Sequence, residues 1–154
     1  MTSKIIRCNK ETPTPYISRF LPSLNVPRNG LVLDLGCGNL RNTNFAISLG
    51  FSNIRSFDRA GDFGEKLDLS NNNIPVEDHS VSLVLCNYLL CFFTNKQRRH
   101  LASEINRVAK GGTYLIVELY PAKDGISYNT LEVRSLFSEW TTKHASKDRF
   151  ILKR

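Results

Sequence analysis

Leu31-Val32-Leu33-Asp34-Leu35-Gly36-Cys37-Gly38-Asn39 joins a short apolar run to an acidic residue and then to a Gly-x-Gly turn. The run reads as a buried strand: Val32 is β-branched, and Pro27, Asn29 and Gly30 punctuate its start. Two glycines straight after it let the backbone turn sharply and approach a ligand with no Cβ in the way. Arg41 to Leu49 reads as a helix, which puts the turn at a helix N-terminus beside a parallel strand. That is where α/β proteins take nucleotide-like ligands.

Outward from this stretch, strand and helix patterns alternate. Thr14 to Leu24 carries Ile17, Phe20, Leu21 and Leu24 at helical spacing, interrupted by Pro22, and predicts a short packing helix. Residues 1–12 are polar and read as a flexible arm. Strands are expected at 31–35, at 53–58 ending in Asp58, and at 66–69. The segment between the last two holds Gly61 and Gly64 and is shorter than the roughly ten to twelve residues a crossover helix needs. The helix after strand two is therefore reduced to a turn. Val81 to Cys86 is a fourth strand, apolar apart from Ser82.

Asn95 is the expected N-cap of a helix at 96–109, whose Leu101, Ala102, Ile105 and Val108 form one stripe and which Gly111-Gly112 ends. Thr113 to Leu119 reads as strand five and Thr130 to Trp140 as a helix. Two strands, at about 140–144 and 149–153, follow around Ala145-Ser146-Lys147-Asp148. The pattern predicts a single α/β domain over 1–154, a doubly wound and mostly parallel sheet with an antiparallel edge hairpin.

Composition narrows the class. Of 154 residues, 41% are hydrophobic and 23% charged, as in ordinary soluble domains. No apolar run approaches the roughly 18 residues of a membrane span, and the N-terminus lacks a secretory apolar core. A cytoplasmic protein with no membrane partner is expected. Cys8, Cys37, Cys86 and Cys91 show no CxxC spacing and read as reduced, mostly buried thiols. No His stands at ligand spacing from any of them, so no metal site is expected. The net charge of +7 is dispersed, densest at Lys96, Arg98, Arg99 and His100, with Arg107 and Lys110 beyond. This reads as solvated helix surface, with an anionic partner such as nucleic acid as the alternative. No RNA-binding or zinc-finger motif accompanies it.

Four points fall at the carboxyl ends of successive strands: the Asp34–Gly38 turn, Asp58, Asp68-Leu69, and Cys86-Asn87-Tyr88. In a doubly wound sheet those ends line one crevice. Asp58 comes twenty residues after Gly38, where a carboxylate accepts ribose hydroxyls. Asp68 lies one strand further out, within reach of a purine amine. Each acid alone also reads as a loop cap; the series together reads as an adenosine site. A dinucleotide fingerprint would have a third Gly where Arg41 stands, and no Gly-Lys-Ser/Thr follows for a phosphate loop. Asp34 before the turn suits a ligand with an ammonium group better than a pyrophosphate.

These residues resemble the class I S-adenosylmethionine-dependent methyltransferases. Val-Leu-Asp-Leu-Gly-Cys-Gly-Asn-Leu-Arg-Asn, from Val32, looks like their first motif; Asp58 looks like the acid ending their second strand, and Asp68-Leu69 like their adenine-contacting pair. Glu104-Ile105-Asn106-Arg107-Val108-Ala109-Lys110-Gly111-Gly112 resembles their connection into strand five. Arg41-Asn42 and the later Ser-Leu-Gly-Phe look most like the small tellurite-resistance-type, methyltransferase-domain-11-like branch. Leu40 stands where many members have a third Gly, and Gly111 where Pro is usual.

The resemblance implies a seven-stranded order of 3-2-1-4-5-7-6 and S-adenosylmethionine as cofactor. It assigns Gly36 and Gly38 to the methionine part, Asp34 to its ammonium, Asp58 to ribose, and Asp68 and Leu69 to adenine. Cys37 and Arg59 count with the cofactor-binding residues. Arg41 reads either as a partner of the ligand carboxylate or as a solvated first-turn residue. Asn87 and Tyr88 face the methyl group and are the candidate catalytic residues, Asn87 also bordering the cofactor; Tyr88 reads equally as an acceptor wall or as core. His79, His100 and His144 have no partner visible in the sequence and are not expected to act as bases. Only 1–24 and 121–130 are available to close the site. So open a site fits a macromolecular acceptor, or completion by a second copy or a partner subunit. The expected function is methyl transfer to an unidentified small molecule, protein or nucleic acid; the alternative is an inactive cofactor-binding subunit that acts through a partner.

Overall fold

The computed structural model describes residues 10–120 and 130–154. Cys8, most of the expected arm and the segment 121–129 lie outside the described residues. Seven strands form one sheet in the order β3-β2-β1-β4-β5-β7-β6. They are β1 (Leu31–Leu35), β2 (Ile54–Asp58), β3 (Glu65–Lys66), β4 (Val81–Asn87), β5 (Ala109–Glu118), β6 (Thr141–Ser146) and β7 (Arg149–Lys153). Five run parallel. β7 enters antiparallel between β5 and β6, as the expected hairpin requires.

Alternation along the strands supplies two core layers. Leu33, Val84, Cys86, Leu115 and Val117 face one side, where α3 (Asn95–Val108) and α4 (Thr130–Leu136) cover them with Leu101, Ile105, Val108 and Val133. Val32, Leu83, Leu85 and Ile116 face the other, covered by α1 (Pro15–Phe20) and α2 (Arg41–Ser48) with Tyr16, Ile17 and Ala46. Strands buried on both faces are continuously apolar, which is why β4 is buried along its whole length. Pro22 turns the end of the first helix into a 3-10 turn, Leu21–Ser23.

Four boundaries differ from the sequence reading. The third strand ends at Lys66, not at residue 69. Asp68 accepts the amide and hydroxyl of Ser70, and its carbonyl takes the Asn72 amide, so the chain curls away from the sheet. Thr94, not Asn95, caps α3, because it completes a capping box with Gln97, which an Asn one residue later would not. Gly111-Gly112 do not end that helix: it stops at Val108, and β5 begins at once at Ala109. The glycines instead lie where the β4–β5 register shifts, with Gly112 at φ +86°. The last helix closes at Leu136, short of Trp140.

The basic segment is also not simply solvated surface. Arg98 is buried, donating to the Leu90 carbonyl at 2.8 Å and pairing with Glu132 at 2.7 Å. Arg107 pairs with Glu104 and Asp78 and donates to the carbonyls of Ile74 and Val76, pinning the loop before β4 onto α3. Charge that reads as surface potential in sequence here holds loops in place.

Candidate active site

At the carboxyl ends of β1, β2 and β4 lies a crevice of about 500 Å³, within the usual range of ligand pockets. Every residue assigned from the sequence to the cofactor or the methyl group lines it, from Asp34 and the glycine turn through Arg41, Asp58, Arg59, Asp68 and Leu69 to Asn87 and Tyr88.

The turn is held from the neighbouring strand. The amides of Gly36 and Cys37 both donate to the Phe57 carbonyl, at 2.8 and 2.9 Å. The Gly38 amide donates to Asp58 Oδ2 at 3.0 Å, and Asp58 Oδ1 accepts the Ala60 amide at 2.9 Å. Each carboxylate oxygen keeps a lone pair for a ligand hydroxyl. Gly38 has φ +53°, and a Cβ there would meet no atom of the described residues within 4 Å; Gly38 lines the crevice. Gly36, at φ +73°, is crowded instead by Leu89. Leu40, where the resemblance expects glycine, still adopts φ 68° at the start of α2.

Asp34 is buried and accepts the Thr43 hydroxyl at 2.6 Å; Ser56 Oγ lies 2.7 Å from the same hydroxyl oxygen. Thr43 spends its one proton on Asp34, so Ser56 donates to Thr43. Burial pushes the Asp34 carboxyl up to about 6, against the lowering effect of the Thr43 bond and the Arg41 charge. A cationic ligand group beside it would reverse that rise. The Cys37 thiol is pushed up to about 12 by burial and by Asp34 and Asp58, leaving it a poor nucleophile. Asp68 both caps its loop and lines the crevice.

On the open side, Tyr88 stacks on Tyr120 with ring centroids 4.5 Å apart, and Phe92 meets Tyr120 edge-on. Tyr120, Phe92, Phe93 and Gln97 are crevice residues that the sequence reading missed. Their signal was weak, since they lie on loops past β4 and β5 and on the first turn of α3. Glu118 was missed as well. It is fully buried and its Oε2 accepts Asn87 Nδ2 at 2.7 Å.

The histidines stay out of the crevice, and each has a partner. His79 bonds the Ala109 carbonyl, His100 the Asn72 carbonyl, and His144 the Tyr16 hydroxyl. Among the described residues, no group of His, Cys, Asp and Glu is arranged to hold a metal.

A protein-family model described as a hypothetical methyltransferase matches residues 7–154. The chain belongs to this methyltransferase family. Its fold is that of the SAM-dependent methyltransferases among the solved structures. The family match does not specify the tellurite-resistance-type branch. No curated protein matches the sequence significantly.

Among solved structures, this methyltransferase is similar to a SAM-dependent methyltransferase from Aquifex aeolicus, at 14% identity and TM-score 0.64, covering 88% of this chain and 87% of that one. A putative methyltransferase from Haloferax volcanii, solved in complex with the Trm112 methyltransferase activator, matches at 17% identity and TM-score 0.67, over 87% and 70% of the two chains. Geranyl diphosphate C-methyltransferase from Streptomyces coelicolor, solved with S-adenosyl-L-homocysteine, matches at 12% identity and TM-score 0.65, over 84% of this chain and 59% of that one.

Proposed function

We propose that the crevice holds S-adenosylmethionine against the β1 turn and presents its methyl group at Asn87 and Tyr88. The observation that carries this reading is the convergence of Asp34, Gly38, Asp58 and Asp68 on one cavity, with open space beside Gly38. Asp58, anchored by two amides, accepts the ribose hydroxyls. Asp68 and Leu69 border the adenine, and Arg59 the ribose side. Asp34 and Arg41 bracket the amino-acid end, the acid toward the ammonium and the guanidinium toward the carboxylate. When bound, the cofactor supplies an electrophilic methyl carbon on a sulfonium, transferred by in-line displacement. The protein's part is chiefly to hold the acceptor atom in line.

The acceptor enters past Tyr88, Tyr120 and Phe92, the last two about half exposed at 49% and 51%. Free Cys37, Cys86 and Cys91 fit a reducing compartment such as the cytoplasm. No described helix is long and apolar enough to cross a membrane.

A second reading is supported by the Haloferax structure, in which a putative methyltransferase is seen with an activator. On that reading this chain works through a partner subunit, or a second copy, that completes the open side. Calorimetry with S-adenosylmethionine and with NAD tests the cofactor; binding of NAD alone would overturn the site assignment. Tritiated methyl transfer from S-adenosylmethionine into nucleic-acid, protein and small-molecule pools, by the chain alone, separates an active enzyme from a partner-dependent subunit.

A further inference from the structure

Asn87, Glu118 and Arg149 pair in register across β4, β5 and β7, forming one row at the carboxyl end of the sheet. The row beneath is Cys86, Val117 and Phe150, wholly apolar and buried. Glu118 is as buried as Val117, yet its ion pair is a 3.3 Å contact with the Nε of half-exposed Arg149. A buried carboxylate with so loose a counter-charge is costly, and an apolar residue would serve stability better. Its contacts give the reason for keeping it.

We propose that Glu118 is a positioning residue for methyl transfer, fixing Asn87 and Tyr88 where the proposed function puts the methyl group. The inference rests on that reading. A carboxylate accepts hydrogen bonds and does not donate them. Asn87 must therefore turn its Nδ2 toward Glu118, as it does at 2.7 Å. That assigns the amide: Oδ1 takes the other arm, shielded from solvent and without a partner among the described residues. The second carboxylate oxygen accepts the Tyr88 hydroxyl at 3.4 Å, and the Glu118 carbonyl accepts the Tyr88 amide at 2.7 Å. Tyr88 is thus held from both ends at φ 58°, a left-handed conformation that a tyrosine adopts only under constraint.

Glu118→Gln isolates this role without changing volume. Glutamine has one accepting and one donating arm. Arg149 still demands the oxygen, so the nitrogen turns to Asn87, whose amide rotates and sends Nδ2 where Oδ1 had been. The test uses the full chain labelled with ¹⁵N, with the Asn87 side-chain amide signals assigned by their loss in Asn87→Asp. In Glu118→Gln those signals shift, S-adenosylmethionine affinity measured by calorimetry changes less than about threefold, and tritiated methyl transfer into the pool that the wild type labels falls at least about tenfold. The double variant Asn87→Asp/Glu118→Gln puts an accepting oxygen back at position 87, opposite a donating arm at 118. It transfers at least about threefold faster than Glu118→Gln alone, a partial recovery that a merely structural loss would not give; transfer no faster than that of Glu118→Gln overturns the inference. Unmoved amide signals, or undiminished transfer by Glu118→Gln, overturn the inference alone. No transfer by the wild type into any pool overturns the enzymatic reading and the catalytic part of this inference together.

Discussion

Asp58, at the end of β2, accepts the Gly38 amide from the turn after β1 over 3.0 Å, tying the two sides of the crevice together. The same carboxylate accepts the Ala60 amide, so its position is set before any ligand arrives. On the proposed function, Asp58→Ala removes the acceptor for the ribose; it also loosens the turn. Charge-assisted hydrogen bonds are worth about 1.5–3 kcal/mol, so S-adenosylmethionine affinity should fall roughly 100-fold while circular dichroism shows a folded chain. Unchanged affinity by calorimetry would mean that the ligand lies elsewhere.

Gly38 and Gly36 should separate binding from folding. Both have positive φ, so alanine at either costs about 1–2 kcal/mol of backbone strain. At Gly36 the added carbon also meets Leu89 at 3.1 Å, whereas at Gly38 it meets no atom of the described residues. Gly38→Ala should therefore weaken the cofactor more than Gly36→Ala does, and Gly36→Ala should lower the melting temperature more. Thermal melts beside calorimetry check the ordering; the reverse order refutes it.

Asp34 should make stability depend on pH and, on the proposed function, cofactor binding as well. Its folded-state carboxyl is raised from 3.8 to about 6, so the folded protein holds this proton more tightly than the unfolded chain. The sign follows: the cost of burying its charge is absent below about pH 4, grows between 4 and 6, and is full above 6. A rise of about two units corresponds to ~3 kcal/mol. Without cofactor, Asp34→Asn should gain stability relative to wild type across that window, measured by denaturant titration at each pH. An ammonium ligand needs the ionised acid, so wild-type cofactor affinity should rise from pH 5 to 7 and that of Asp34→Asn should not. Parallel pH profiles would remove Asp34 from the ligand's charge balance.

Arg98 and Arg99 are adjacent in sequence and should behave oppositely. Arg98 is buried between the Leu90 carbonyl and Glu132, whereas Arg99 is exposed. Arg98→Met leaves a buried carbonyl without its donor and frees the turn that carries Phe92, costing ~2–3 kcal/mol. Arg99→Ala should stay within about 0.5 kcal/mol. Differential melting of the two variants decides it; equal effects would mean that Arg98 is solvated after all.

Much of the fold was legible because its signals are local. An apolar run ending in Asp34 and two glycines specifies strand, turn and helix by itself, and the spacing to Asp58 reports the next strand end. The errors came where side chains override local pattern. Asp68 ends β3 by bonding Ser70, Thr94 takes the cap because Gln97 answers it, and β5 starts before its glycines because Ala109 pairs with Val81. Glu104 and Arg107 carry a family motif, yet their bonds go to Ile74, Val76 and Asp78 in the loop before β4.

By itself, then, the sequence determined the central strands, the glycine turn and the acids that line the crevice, since each is written within a few residues of a strand end; the strand order came from the family resemblance. Tertiary structure alone decided the other half of the site. Whether a charge is buried, which arm of the Asn87 amide is left bare, and which aromatics meet at the open side depend on residues far apart in sequence, Asn87 with Glu118, Arg98 with Glu132 and Tyr88 with Tyr120. Glu118 reads as an ordinary strand end until β4 and β7 close on either side of it. Burial then turns an unremarked carboxylate into the group that sets the hydrogen-bond polarity of its neighbours.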